Sequence, residues 1–361
     1  MSTSVPAWYP LLLSAPVRTY AFGARLIADR LGKAGLPAGR IAETWEYSAY
    51  PGSESTVLNG AFRGLSLQQL AEQQPDGLIG RRRTGTLFPL LGKFLDASGP
   101  LPVHLHADDA TARELHGADN GKTEAWHILA ADEGATVLAG VKPGIPDAEL
   151  RAALTARDFD AVMRRLPVSA GDTVYVPGGV LHSFGPGTLV FEIQQTSDLT
   201  QSVEPDDVYG NPLTPAEREA NITATLRELR RDWLPQVNPG LTFAADAGTR
   251  TFCAASHHFA LERWTFSGTF GWSRPEPGGF TALTNIGVPL DVSTAAGTVR
   301  LERAESCIVP AGAGRSTLDS RSGAGEVLAC YVPDMETEVR RPLRAAGFSS
   351  EQLGLLGGVP L

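Results

Sequence analysis

The sequence predicts a mainly β protein made of two related jelly-roll barrels with helical insertions. Short β-prone segments separated by Gly, Pro and Asp turns recur along most of the 361 residues. The 39 glycines and 26 prolines supply many tight turns and leave little room for long helices. Two stretches also resemble each other. Gly171-Asp-Thr-Val-Tyr-Val-Pro177-Gly-Gly179-Val-Leu-His182 and Glu305-Ser-Cys-Ile-Val-Pro310-Ala-Gly312-Ala-Gly-Arg315 each read as a strand ending in Pro-x-Gly, with His182 in the first where the second has Arg315.

Taking the elements in order, strands are expected at 125–129, 135–140, 172–176 and 188–195, then at 250–254, 259–266, 280–285, 297–301, 307–309 and 326–332. Helical periodicity is confined to 65–74, to 147–166 as two short helices broken near 156–158, and to 214–233. The last begins with Thr214 as N-cap, Pro215 at the first helical position and Glu217 at the capping-box position, and reads as a bridge between two domains. At about 150 residues per domain the length fits two. They are placed at 1–240, with a metal site, and at 241–361, without one.

Composition narrows the function. A formal charge of −9 argues against a nucleic-acid binder. Nowhere do 18 apolar residues run together, so no membrane span is expected. Pro6, Pro10 and Pro16 interrupt the apolar start, which lacks a basic region, so no signal peptide is expected. Cys253, Cys307 and Cys330 are widely spaced and odd in number, and read as buried thiols of a cytoplasmic protein.

The chemistry concentrates in Val103-His104-Leu105-His106. Residues two apart on a strand share a face, so both imidazoles can converge on one ion. Glu124, at the start of a strand, and His182, after the Pro-x-Gly turn, complete a candidate shell for a divalent transition metal. His127 is expected beside that site. Glu114 is set aside because it falls in a polar stretch read as a loop, 108–120. His257 and His258 are adjacent, are expected on opposite faces of a strand, and so would not share a metal.

These residues resemble the cupin superfamily, and a wider set of segments resembles the type I mannose-6-phosphate isomerases in their short bacterial and archaeal form. The matching stretches are Glu43-Thr-Trp-Glu-Tyr-Ser48, Phe88-Pro-Leu-Leu-Gly-Lys-Phe-Leu-Asp-Ala97, 101–109, 121–126, 171–182 and Glu192-Ile-Gln-Gln-Thr-Ser-Asp198, in the family's order. The resemblance implies cupin-like barrels and a zinc ion, or another divalent transition metal, on His104, His106, Glu124 and His182. It implies an enzyme that interconverts mannose 6-phosphate and fructose 6-phosphate, with a small sugar phosphate as its partner. Lys122 and Glu192 become candidate catalytic residues, and Trp45, Glu46 and Lys93 candidate substrate contacts.

Three departures stand against the family pattern. His104 replaces the usual glutamine. Pro102 replaces a serine that helps hold the phosphate, and Ser202 replaces an arginine assigned to catalysis. Arg315 or one of Arg81, Arg82 and Arg83 is a candidate substitute for that arginine. The departures keep two alternatives open: an isomerase for a different or unphosphorylated sugar, and a catalytically silent sugar-binding cupin.

Overall fold

The computed structural model describes residues 7–81, 85–274 and 278–358. Its architecture is mainly β, with every ladder between its strands antiparallel. The first half forms two sheets. One has seven strands, in the order Val237–Asn238, Thr173–Val176, Glu124–Ala131, Thr188–Gln195, Leu90–Ala97, Glu43–Tyr47 and Val17–Arg18. The other has five, in the order Gln201–Ser202, His104–Leu105, His182–Phe184, Thr136–Val141 and Met163–Pro167. A nine-stranded sheet takes the strands from Leu241–Ala245 to Ser316–Tyr331, and Leu11–Leu12 from the N-terminal region pairs with Ser306–Val309 at its edge.

The seven-stranded sheet is buried on both faces, so its central strands carry apolar residues on each. Alternation sends Phe94, Phe191 and Ile193 outward, into a core shared with Leu261, Phe280 and Leu328 of the nine-stranded sheet. The opposite face, toward the five-stranded sheet, packs Trp126, Val174 and Val190 on Val137, Ala139 and Phe184. Lys93, Glu124, Glu192 and Gln194 are also buried on that inner face. It therefore gathers several charged groups in one place between the two sheets.

The predicted strand 188–195 is found as Thr188–Gln195 and 297–301 as Gly297–Leu301. Three helical expectations change. The stretch 147–166 yields helices Asp147–Ala156 and Phe159–Val162, but its end is the strand Met163–Pro167, because pairing with Thr136–Val141 overrides helix propensity. The stretch 108–120 contains the helix Asp109–His116, capped by Asp108 and closed by left-handed Gly117 at φ 62°. The helix Pro215–Glu228 has the expected Thr214–Glu217 capping box, and it packs on helix Asp147–Ala156 and strand Gln201–Ser202. Ile222 enters the core of that first half with Leu150 and Leu154, and this apolar contact decides where the helix lies.

The three cysteines are free and buried. Among the described residues, no helix is long and apolar enough to cross a membrane.

Candidate active site

Three imidazoles converge between the two sheets. His104 and His182 are direct partners in one antiparallel ladder, so their side chains leave on the same side, and His106 follows two residues after His104. The ring centroids lie 4.3 to 5.0 Å apart, and one ligand nitrogen from each ring falls within 4.8 Å of the other two.

Each ring has its Nδ1 against a backbone carbonyl: His104 at 2.6 Å from Pro102 O, His106 at 2.7 Å from Leu199 O and His182 at 2.8 Å from Val180 O. A carbonyl can only accept, so the proton sits on Nδ1 and the Nε2 lone pair turns inward. Burial holds His104 and His106 well below the ordinary histidine range, which keeps both rings neutral.

Glu124 closes the cluster from the other sheet. Its Oε1 accepts from Trp126 Nε1 at 2.9 Å and lies 3.1 Å from His182 Nε2; its Oε2 lies 3.4 Å from His106 Nε2 and 2.9 Å from Lys122 Nζ. Burial would raise this carboxyl, but Lys122 beside it, with His106 and His182, holds it well below the usual carboxylate range. His182 Nε2 is buried without a hydrogen-bond partner. Buried polar atoms are normally satisfied, and inward lone pairs beside a carboxylate are the donor set a divalent transition ion takes. The residues fit a metal.

Next to this cluster lies a buried charge array. Glu192 opposes Lys93 in the ladder; Lys93 Nζ is 3.2 Å from Glu192 Oε1 and 3.5 Å from Glu43 Oε1, and Lys122 Nζ is 3.7 Å from Glu192 Oε1. Burial, then the neighbouring Glu124 charge, pushes the Glu192 carboxyl up to about 8, against the pull of Lys93 and Lys122. Trp45 shares the face of Glu43 and donates Nε1–H to Glu43 Oε2 at 2.7 Å.

Some expected placements fail. Glu46 projects from the opposite face of its strand to Glu43 and Trp45. It pairs with Lys33 Nζ at 2.8 Å and takes hydrogen bonds from Thr44 and Ser306, so it ties the first half to the second instead of meeting the cluster. His127 also lies on the outer face, bonded to Thr173 Oγ1 at 2.9 Å, because it is an odd number of residues from Glu124 and Trp126. Arg315 is exposed beside Gly271 of the nine-stranded sheet, and Arg81 is exposed. Arg82 and Arg83 lie outside the described residues.

Ser202 pairs directly with His104, so position 202 does face the site, and its hydroxyl there receives the Glu204 N–H at 3.3 Å. Sequence reasoning missed Arg18. Its guanidinium carbon sits 4.2 Å from the Trp45 ring centroid, Ser53 Oγ accepts from its Nη2, and its charge acts on Asp198, Tyr20 and Tyr50. The alternation of Glu43 and Trp45 pointed to that face, but only the pairing of Arg18 with Glu43 brings the arginine to it.

Inward-facing imidazoles and a carboxylate between antiparallel sheets define a β-sandwich protein with a candidate metal centre. Residues 11–126 match the family model of the phosphomannose isomerase type I catalytic domain. A mannose-6-phosphate isomerase of Streptococcus mutans is 37% identical over 194 residues, which is 54% of this chain and 60% of that protein. The probable mannose-6-phosphate isomerase GmuF of Bacillus subtilis is 31% identical over 265 residues, 72% of this chain and 81% of that one. The chain belongs to the type I mannose-6-phosphate isomerase family. The crystal structure of a mannose 6-phosphate isomerase from Bacillus subtilis is similar with a TM-score of 0.79 and 26% identity, over 90% of this chain and 100% of that one. A putative mannosephosphate isomerase from Archaeoglobus fulgidus shares the fold at a TM-score of 0.71 and 22% identity, over 92% and 99%.

Proposed function

We propose that this protein is a metal-dependent aldose–ketose isomerase that interconverts mannose 6-phosphate and fructose 6-phosphate through a cis-enediol. The observation that carries the reading is the convergence of His104, His106, His182 and Glu124 beside the buried Lys122 and Glu192. The names of the relatives supply the substrate. Residues 1–240 would form the unit with the metal centre and 241–361 the second unit, to which Leu11–Leu12 adds a strand. Three free, buried thiols favour a reducing compartment, the cytoplasm.

His104, His106, Glu124 and His182 would hold the ion, with zinc first because three imidazoles and a carboxylate suit it. A divalent ion there supplies an electrophile for the charge that develops on the substrate oxygens.

The chain's own groups do the rest. Moving a proton between C1 and C2 needs an acid–base group near neutrality, and Glu192, raised to about 8 and facing the cluster, meets that need. Lys122 Nζ, held among Glu124, His106 and Glu192, donates a charged hydrogen bond to a substrate oxygen. Lys93 stays cationic between Glu192 and Glu43 and balances the carboxylates. Trp45 forms the wall on which Arg18 rests, and Arg18 offers a positive end for the phosphate. Glu46 takes no part.

The test is turnover of mannose 6-phosphate and of mannose by protein stripped with a chelator and reloaded with Zn2+. Loss on stripping, recovery on reloading and a strong preference for the phosphate are expected. A preference for mannose would reassign the substrate, and metal-loaded protein without turnover of either would leave a silent sugar binder.

A further inference from the structure

His257 and His258 occupy the bend between strands Gly248–Ala255 and Ala260–Trp272. A strand would send them to opposite faces, as the sequence predicts. The bend instead lays the imidazoles against each other, centroids 3.8 Å apart. Ser256 Oγ fixes this bend by accepting the amide N–H groups of His258 and Phe259 at 3.2 and 3.3 Å. The expectation fails because it assumed that the strand continues.

Asp109, at the start of helix Asp109–His116, faces the pair. Its Oδ1 is engaged by Gly121 N–H at 2.8 Å and Gln195 Nε2 at 2.9 Å, while Oδ2 lies 4.0 Å from His258 Nε2. One ligand atom from each of Asp109, His257 and His258 falls within 4.8 Å of the other two.

We propose that Asp109, His257 and His258 form a second metal site, for a borderline divalent ion such as Zn2+, Co2+ or Ni2+. Two imidazoles and a carboxylate suit such ions, whereas Mg2+ and Ca2+ prefer all-oxygen shells. The hydrogen bonds to Oδ1 orient the carboxylate, as neighbours of a ligating carboxylate do.

Metal–ligand bonds of about 2.0–2.2 Å place donor atoms about 3.0–3.5 Å apart, so the cluster must tighten. His257 is exposed, so a rotation of its side chain would bring its nitrogen inward, and the open side leaves water to complete the shell. The ion would tie the hairpin of the nine-stranded sheet to helix Asp109–His116. Through Gln195, whose Oε1 accepts Thr123 N–H at 3.0 Å, it would also steady the segment that carries Lys122 and Glu124.

Equilibrium dialysis of the purified full chain against Co2+ alone tests this, with bound metal counted per chain and circular dichroism to verify folding. His257→Asn/His258→Asn is expected to bind one equivalent fewer than wild type, and Asp109→Asn to weaken that equivalent at least tenfold. His106→Ala/His182→Ala should retain it while losing the equivalent assigned to the other cluster, so failure of either reading shows in a different variant. Folded His257→Asn/His258→Asn protein that binds as many equivalents as wild type, with the same affinity, would overturn the proposal.

Discussion

His104 and His182 stand opposite each other in one antiparallel ladder, and each turns its Nδ1 onto the carbonyl oxygen two residues before it, Pro102 O at 2.6 Å and Val180 O at 2.8 Å. The same local device on neighbouring strands fixes both tautomers and aims both Nε2 atoms inward. Proline at position 102 costs nothing in this respect, because only its carbonyl is used.

His182→Ala should therefore lower metal content at the His104–His106–His182 cluster by at least tenfold while the β-sheet signal in circular dichroism is retained. Metal analysis after dialysis measures it; unchanged content would remove His182 from the ligand set.

Glu192→Gln should keep the metal and lose activity. General acid–base groups contribute about 10²–10⁴-fold, so kcat on mannose 6-phosphate is expected to fall within that range with little change in Zn2+ content. A kcat near wild type would exclude Glu192 from proton transfer.

Arg18→Met should raise the KM for mannose 6-phosphate about tenfold or more, since a hydrogen bond to a charged group is worth about 1.5–3 kcal/mol. Steady-state kinetics on mannose serves as the control, where no such change is expected.

Glu46→Gln should act on stability instead of catalysis. The carboxylate is buried against Lys33, and removing one partner of a buried ion pair costs about 3–5 kcal/mol. Thermal unfolding should shift down while kcat and KM hold; a large rise in KM with an unchanged Tm would restore Glu46 to the substrate site.

His127 gives stability an acid limb. Burial, with Arg263 nearby, lowers its folded pKa to about 3, below the unfolded value of about 6.5. Between these values the unfolded chain binds the extra proton. Stability is therefore full above pH 6.5 and falls on acidification by about 1.4 kcal/mol per pH unit from this group. Denaturant unfolding of His127→Gln between pH 4 and 7 should show a shallower slope; an unchanged slope would mean that His127 protonates without cost.

Much of this molecule was legible in the amino-acid sequence. Local patterns set the strand Thr188–Gln195, the Thr214–Glu217 capping box and the shared face of His104 and His106, because backbone alternation and capping depend on neighbours a few residues away. Motif spacing and the family resemblance also singled out Lys93, Glu124, His182 and Glu192, which the fold brings together between the two sheets.

Tertiary structure decided the rest. Glu46 and His127 sit in the same strands as Glu43 and Glu124 but face the other way. Their roles depend on which sheet covers which face, and nothing within five or six residues encodes that. Arg18 reaches the site only through its pairing with the strand Glu43–Tyr47, 25 residues later. The His257–His258 pair meets Asp109 across nearly 150 residues because two sheets pack together through their shared apolar core. Long-range burial, not local periodicity, supplies the free energy that chooses among such placements.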